Sequence, residues 1–141
     1  MHWIPPAAGR LLDVGCNQVE LLSLCARLLP QVQLAGVDVN AAAVATARRT
    51  LPGMDIRESS GDPLPFASGM FDCVTCIEVI EHVPEALRRA ILAEMCRVLA
   101  PGGPINTAVP ACENVRLARC RQPPFSPAQD LSRSDRPGTS G

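Results

Sequence analysis

Short apolar runs alternate with helical stripes through the first 110 residues, and that alternation leaves few folds open. Residues 10–14 (RLLDV), 33–38 (QLAGVD), 54–58 (MDIRE), 70–79 (MFDCVTCIEV) and 105–109 (INTAV) read as strands. Between the first two, residues 19–29 carry apolar side chains at 21, 22, 24, 25, 28 and 29, which is one helix face, and Pro30 stops it. Asn40 is placed to cap an alanine-rich helix over 40–50, which Pro52-Gly53 breaks. Pro84 opens a third helix to about Leu99, with Leu87, Ile91, Met95 and Val98 on one face. Pro101-Gly102-Gly103 ends it, and Pro104 is compatible with a following strand only as its first residue or at an edge. Strands and helices alternating through short loops pair in parallel by right-handed crossovers. The expected fold class is therefore α/β, a doubly wound, mainly parallel open sheet of about five strands. Its ligand site should lie at the carboxyl ends of the strands.

Three segments follow from composition: an N-terminal extension over 1–9, a core over 10–110, and a tail over 111–141 rich in Pro, Ser and Arg without periodicity. The tail reads as disordered. Arg116, Arg119 and Arg121 cluster there, so an RNA-contacting arm is one reading, and a solvated tail is favoured over it. The net charge of −1 gives no global pull toward nucleic acid or an anionic membrane. No apolar run approaches the roughly 20 residues of a membrane span, and the first residues lack the pattern of a secretory signal. The seven cysteines are scattered and odd in number, which favours reduced thiols and a cytoplasmic location over a disulfide framework. Cys73 and Cys76 form a CxxC, but residues three apart on a strand face opposite sides, so both read as buried structural residues.

Four features stand at strand ends in the order one cleft requires. Asp13-Val14-Gly15-Cys16-Asn17 leaves the first strand, and glycine there lets backbone pass close to a ligand. Asp38 ends the second, where a carboxylate can accept both hydroxyls of a ribose. Gly61-Asp62 follows the third, positioned to meet an adenine amine. Residues 76–79, Ile77 among them, end the fourth beside the cleft. A dinucleotide would need G-x-G-x-x-G, and the chain has Gly15, Asn17 and Glu20 at those places. Glu20 would repel a pyrophosphate. S-adenosyl-L-methionine has no phosphate and carries cationic groups, so the electrostatics favour it as cofactor.

LLDVGC, GVDVN, GDPLPFASGMFDCVTCIEVIEHVPE and LRRAILAEMCRVLAPGG together resemble the class I S-adenosylmethionine-dependent methyltransferases over about residues 10–110. The resemblance implies a Rossmann-like core and methyl transfer. It implies that Asp13, Gly15 and Cys16 hold the methionyl part, Asp38 the ribose, and Gly61 and Asp62 the adenine, with Ile77 beside them. The chain departs from the family at Asn17, which stands where a second glycine is usual and tolerates a left-handed turn. It departs again at Val19, whose branched side chain is expected to crowd the methionine tail. Family cores continue past strand five with a helix and two strands, the last antiparallel, so the C-terminal strands are expected to be missing and the chain truncated.

Glu78, Glu81 and His82 in IEVIEHV form a Glu-x-x-Glu-His run that can supply ligands to a divalent ion such as magnesium or manganese. The run resembles the metal motif of two methyltransferase branches, one acting on the 2′-hydroxyl of small RNAs and one on catechol oxygens in ubiquinone biosynthesis. The small-RNA branch needs a further histidine downstream, and the only other histidine here is His2. The same run occurs without metal, where Glu and His shape the cleft and cap the next helix, and that use is favoured. If a base or metal ligand exists, Glu78, Glu81 and His82 are its candidates. The expected function is methyl transfer to an acceptor, a small molecule before RNA. The competing expectation is a non-catalytic cofactor- or partner-binding fragment, motivated by Asn17, Val19 and an open fifth-strand edge.

Overall fold

The computed structural model describes residues 4–17, 19–77, 79–108 and 116–119. In order they form β1 (Arg10–Val14), α1 (Glu20–Leu28), β2 (Gln33–Asp38), α2 (Ala41–Thr50), β3 (Asp55–Glu58) and β4 (Cys73–Ile77). A single 3-10 turn (Ile80–His82), α3 (Glu85–Val98), β5 (Pro104–Ala108) and β6 (Arg116–Arg119) complete them. The sheet order is β3-β2-β1-β4-β5-β6. The first five strands are mutually parallel, and β6 runs antiparallel to β5. Sheet growth changes direction between β1 and β4, and the crevice at such a switch point is where open α/β sheets bind ligands.

The two faces of the sheet bury different residues. On one, Leu11, Cys73 and Ile56 pack against Leu22 and Cys25 of α1 and Val44 and Ala47 of α2. On the other, Leu12, Val14, Val74 and Cys76 pack against Ile91, Met95 and Val98 of α3. Cys73 and Cys76 therefore belong to opposite faces, as the strand period requires. Cys16, Cys25, Cys73 and Cys76 are free and buried. Cys96 is disulfide-bonded, which departs from the expectation of reduced thiols throughout. Asn40 caps α2, its Oδ1 accepting from the N–H groups of Ala42 (3.0 Å) and Ala43 (3.2 Å). Pro104 is the first residue of β5, where its missing N–H costs no ladder bond. Among the described residues no helix is long and apolar enough to cross a membrane.

One correction concerns the tail. Arg116–Arg119, inside the stretch read as disordered, form β6 and pair with Pro104–Thr107. An unpaired strand edge presents a row of N–H and C=O groups, and a short segment can add to it whatever its own composition. The open fifth-strand edge that motivated the partner-binding expectation is thus covered.

The loop between β3 and β4 is held by a pair on α3 that periodicity does not reveal. Arg97 donates to the carbonyls of Phe66 (2.9 Å) and Leu64 (3.0 Å) and to Ser68 Oγ (3.2 Å). Glu94 accepts from Arg97 Nε (2.8 Å) and from the Leu64 N–H (2.7 Å). Phe66 and Phe71 meet edge to face with centroids 5.0 Å apart beneath this loop. Arg97→Ala removes several charge-assisted bonds and takes the guanidinium away from the largely buried Glu94 carboxylate, so it should destabilise the fold by roughly 3 kcal/mol. Urea unfolding at neutral pH measures this directly.

Candidate active site

β1 and β2 bring the first two acidic residues to one place. Asp13 and Gly36 are register partners, and Asp38 follows two residues on at the end of β2. After Val14 the chain turns sharply, and the N–H groups of Gly15 (2.8 Å) and Cys16 (2.9 Å) both donate to the Val37 carbonyl. Gly15 sits at φ +78°, and a Cβ built there would lie 2.3 Å from Cγ2 of Val79, the segment leaving β4. Both the left-handed backbone and the close approach of Val79 exclude a side chain at this position. Asn17 also takes a left-handed conformation, φ +46°, as its residue type tolerates.

Val19 corrects the sequence expectation. It is a β-branched residue at φ +66°, but its side chain is fully buried with Leu11, Leu22 and Cys25 and lines neither cavity described below. A branched residue in this left-handed conformation acts as backbone strain at the start of α1, on the order of 1–3 kcal/mol. It stands outside the linings of both cavities.

Asp38 ties the two loops together. Its Oδ2 accepts from the Asn17 N–H (2.9 Å) and its Oδ1 from the Asn40 N–H (2.8 Å). An ionised carboxylate has about four acceptor directions, so about two remain for a ligand. Asp13 lies at the cleft floor, 3% exposed, and its Oδ1 accepts from Thr75 Oγ1 at 2.6 Å. Burial raises the Asp13 pKa to about 7; Thr75 opposes that shift and the Asp38 charge adds to it. Burial likewise lifts the Cys16 and Cys76 thiols to about 12, so neither is a thiolate nucleophile near neutral pH.

Two connected cavities share Gly15, Asp38, Val39, Val79, His82 and Val83. One, of about 490 Å³, is lined by Asp13, Cys16, Glu20, Asp38 and Ile77. The other, of about 280 Å³, is an apolar slot between Val37, Val39, Leu87 and Ile91, with Gly61 at its wall. Gly61 has φ +90°, and a Cβ there would press on Ile91 at 3.1 Å. Of the residues read from sequence, Asp13, Gly15, Cys16, Asp38, Gly61, Ile77 and His82 thus line one cleft. Asp62 is exposed and stands outside both linings, although its neighbour Gly61 is inside. Glu81 also stands outside them; its carboxylate oxygens are enclosed and accept no hydrogen bond among the described residues. Its Oε1 lies 3.8 Å from His82 Nε2. Glu78 lies outside the described residues. Among the described residues no three His, Cys, Asp or Glu side chains converge as a metal site. Sequence reasoning missed Thr75, whose signal was a lone hydroxyl inside the apolar run CVTCI.

The sequence matches the family described as "Methyltransferase domain" over residues 11–103, from β1 to the residue before β5. The chain belongs to the class I S-adenosylmethionine-dependent methyltransferase family. This methyltransferase domain is 32% identical over 100 residues to the ubiquinone/menaquinone biosynthesis C-methyltransferase UbiE of Desulfotalea psychrophila, covering 70% of the chain and 40% of that protein. It is 35% identical over 103 residues to the ubiquinone biosynthesis O-methyltransferase of Xanthomonas axonopodis pv. citri, covering 71% and 42%. The solved structure of SAM-bound CalS10, an amino pentose methyltransferase from Micromonospora echinaspora involved in calicheamicin biosynthesis, matches with a TM-score of 0.66. That match has 34% identity and covers 72% of this chain and 43% of the other. The chain spans about two fifths of the length of the curated relatives it matches.

Proposed function

We propose that this methyltransferase domain binds S-adenosylmethionine between β1 and β4 and directs its methyl group to a small-molecule acceptor. The observation that carries the reading is an acidic compartment, with Asp13, Glu20 and Asp38, opening directly into an apolar slot. That division suits a ligand with a cationic methionyl end and a flat, weakly polar adenine. When bound, the cofactor supplies a methyl group on a sulfonium, already a good leaving group. The protein's part is then alignment and exclusion of water rather than strong base chemistry. Asp38 offers its remaining acceptor directions to ribose hydroxyls. Gly15 lets the methionyl portion lie against backbone, and Gly61 with Leu87 and Ile91 receives the adenine. The position of Asp62 favours Gly61 over it for that contact.

A small acceptor is favoured over RNA because no arginine is among the described residues lining the cleft, and nucleic-acid affinity depends on cations at phosphates. The relatives' names span carbon and oxygen acceptors, so the reading stops at the small-molecule class. His82 lines both compartments and is the candidate base for an acceptor proton, with Glu81 beside it. Glu78 completes the candidate set from sequence, and no step here runs through a metal.

Incubating the full chain with methyl-labelled cofactor and a panel of phenols, amines and RNA tests the acceptor class. Label should appear in a low-mass product, and His82→Gln should lower kcat by roughly 100-fold if the acceptor must lose a proton in the transition state. Label in RNA alone would overturn the small-molecule assignment. An unchanged rate in His82→Gln would reduce His82 to part of the wall.

A further inference from the structure

We infer that ligand binding in this cleft expels a proton from Asp13, which makes the buried carboxyl a pH-gated counter-charge for a cationic ligand. The inference rests on the function proposed above and adds a regulation to it.

Asp13, Thr75 and Asn106 are the buried polar residues among those described, and they form one row across β1, β4 and β5. Thr75 is the register partner of Asp13 on one side and of Asn106 on the other. Such a row inside a sheet needs a reason, since burying polar groups is unfavourable unless they are paired. Among the described residues, the side-chain partner of Asp13 is neutral. Its Oδ1 is 2.6 Å from Thr75 Oγ1, and the same hydroxyl lies 3.4 Å from the Leu12 carbonyl oxygen. A hydroxyl can donate and accept. Thr75 can therefore donate to an ionised Asp13, or turn its proton to Leu12 and accept from a protonated one. The strand geometry satisfies both protonation states without moving the backbone.

Among the described residues, the groups around Asp13 do not supply a fixed cation. Asp38 faces it from β2, Cys16 from the loop, Glu20 and Cys25 from α1, Cys76 from β4 and His82 from the 3-10 turn. The Asp38 carboxylate makes ionisation of Asp13 harder, and the thiols are neutral. Burial agrees with this, holding the Asp13 carboxyl up to about 7. A positively charged ligand entering the cavity that Asp13 lines supplies the missing cation. It favours the charged carboxylate, and the proton leaves to solvent. Affinity should then rise as pH increases toward 7 and level off above it, by up to about tenfold per pH unit on the rising limb.

Calorimetric titration of the full chain with S-adenosylmethionine, in buffers of different ionisation enthalpy, counts the protons released. About one proton per ligand is expected at pH 6 and close to none at pH 8. His82 is a second ionisable side chain lining the same cavity, so His82→Gln is the control. Release that survives in His82→Gln and vanishes in Asp13→Asn supports the inference. Thr75→Val gives a second variant, since losing the hydroxyl removes the hydrogen bond that holds the Asp13 pKa down. It should move the midpoint of the pH dependence upward. Binding at pH 6 without proton release, or release lost in His82→Gln, overturns the inference and leaves the cofactor reading standing. A folded chain that binds at no pH overturns both.

Discussion

Replacing Gly15 by alanine should reduce affinity for S-adenosylhomocysteine by at least about 100-fold, equivalent to roughly 2.7 kcal/mol. Two effects act together. An L-residue at φ +78° costs about 1–2 kcal/mol relative to glycine. The new Cβ would also fall 2.3 Å from Val79 Cγ2, well inside van der Waals contact. Val79 is β-branched, with few rotamers to escape into, so the segment leaving β4 must shift. That segment and the Gly15 loop are opposite walls of the same cleft, so the shift distorts the site itself. The double variant Gly15→Ala/Val79→Ala removes the steric part and leaves the backbone part, and should recover some of the lost affinity. A Gly15→Ala chain that binds within threefold of the natural one would contradict this geometry.

Asp13→Asn should change how stability depends on pH by as much as about 4 kcal/mol. The Asp13 carboxyl is displaced from the ordinary aspartate value near 4 to about 7, chiefly by burial. The folded chain therefore holds this proton more tightly than the unfolded chain. Between about pH 4 and pH 7 the unfolded state has released it while the folded state keeps it, so stability falls as pH rises through that window. Below pH 4 the contribution is fully present; above 7 it is gone. At 3% exposure, solvent screening offsets little of it. Asparagine has nearly the same shape, keeps an oxygen for Thr75 and does not titrate. Its unpaired amide protons carry a constant penalty of about 1–3 kcal/mol, so the informative quantity is the change between pH 5 and pH 8, where about 2.7 kcal/mol of the effect falls. Urea unfolding at the two pH values should show the variant gaining on the natural chain as pH rises. Parallel curves would contradict a raised Asp13. The same variant should bind the cofactor less well, a trade of function for stability common at active sites.

Much of this was legible from residue order. Alternating apolar runs and helical stripes implied the parallel sheet, and Asn40 and Pro104 stand where their backbone chemistry requires. Asp38 and Gly61 could be located because strand ends must converge at the switch point. The features that were not legible depend on directions in space. Val19 follows the glycine loop in sequence, and only the turn that joins its N–H to the Cys16 carbonyl sends its side chain into the core instead of the cleft. Asp62 adjoins a cleft residue in sequence, yet the chain after Gly61 carries it out to solvent. The Asp13–Thr75 contact depends on the β1–β4 register, which joins residues 62 positions apart. β6 depends on the edge it pairs with, and its own four residues carry no strand pattern. Arg97 and Glu94 look like an ordinary i,i+3 surface pair until the 59–71 loop folds over them.

The most direct test is calorimetric titration of the purified full chain with S-adenosylhomocysteine, repeated on Asp38→Ala. Micromolar binding, near −8 kcal/mol, should weaken at least about 100-fold in the variant, which loses the carboxylate proposed to accept from the ribose and the tie between the Asn17 and Asn40 N–H groups. A folded chain that does not bind, or an Asp38→Ala variant that binds equally well, would contradict the assignment of this cleft as the cofactor site.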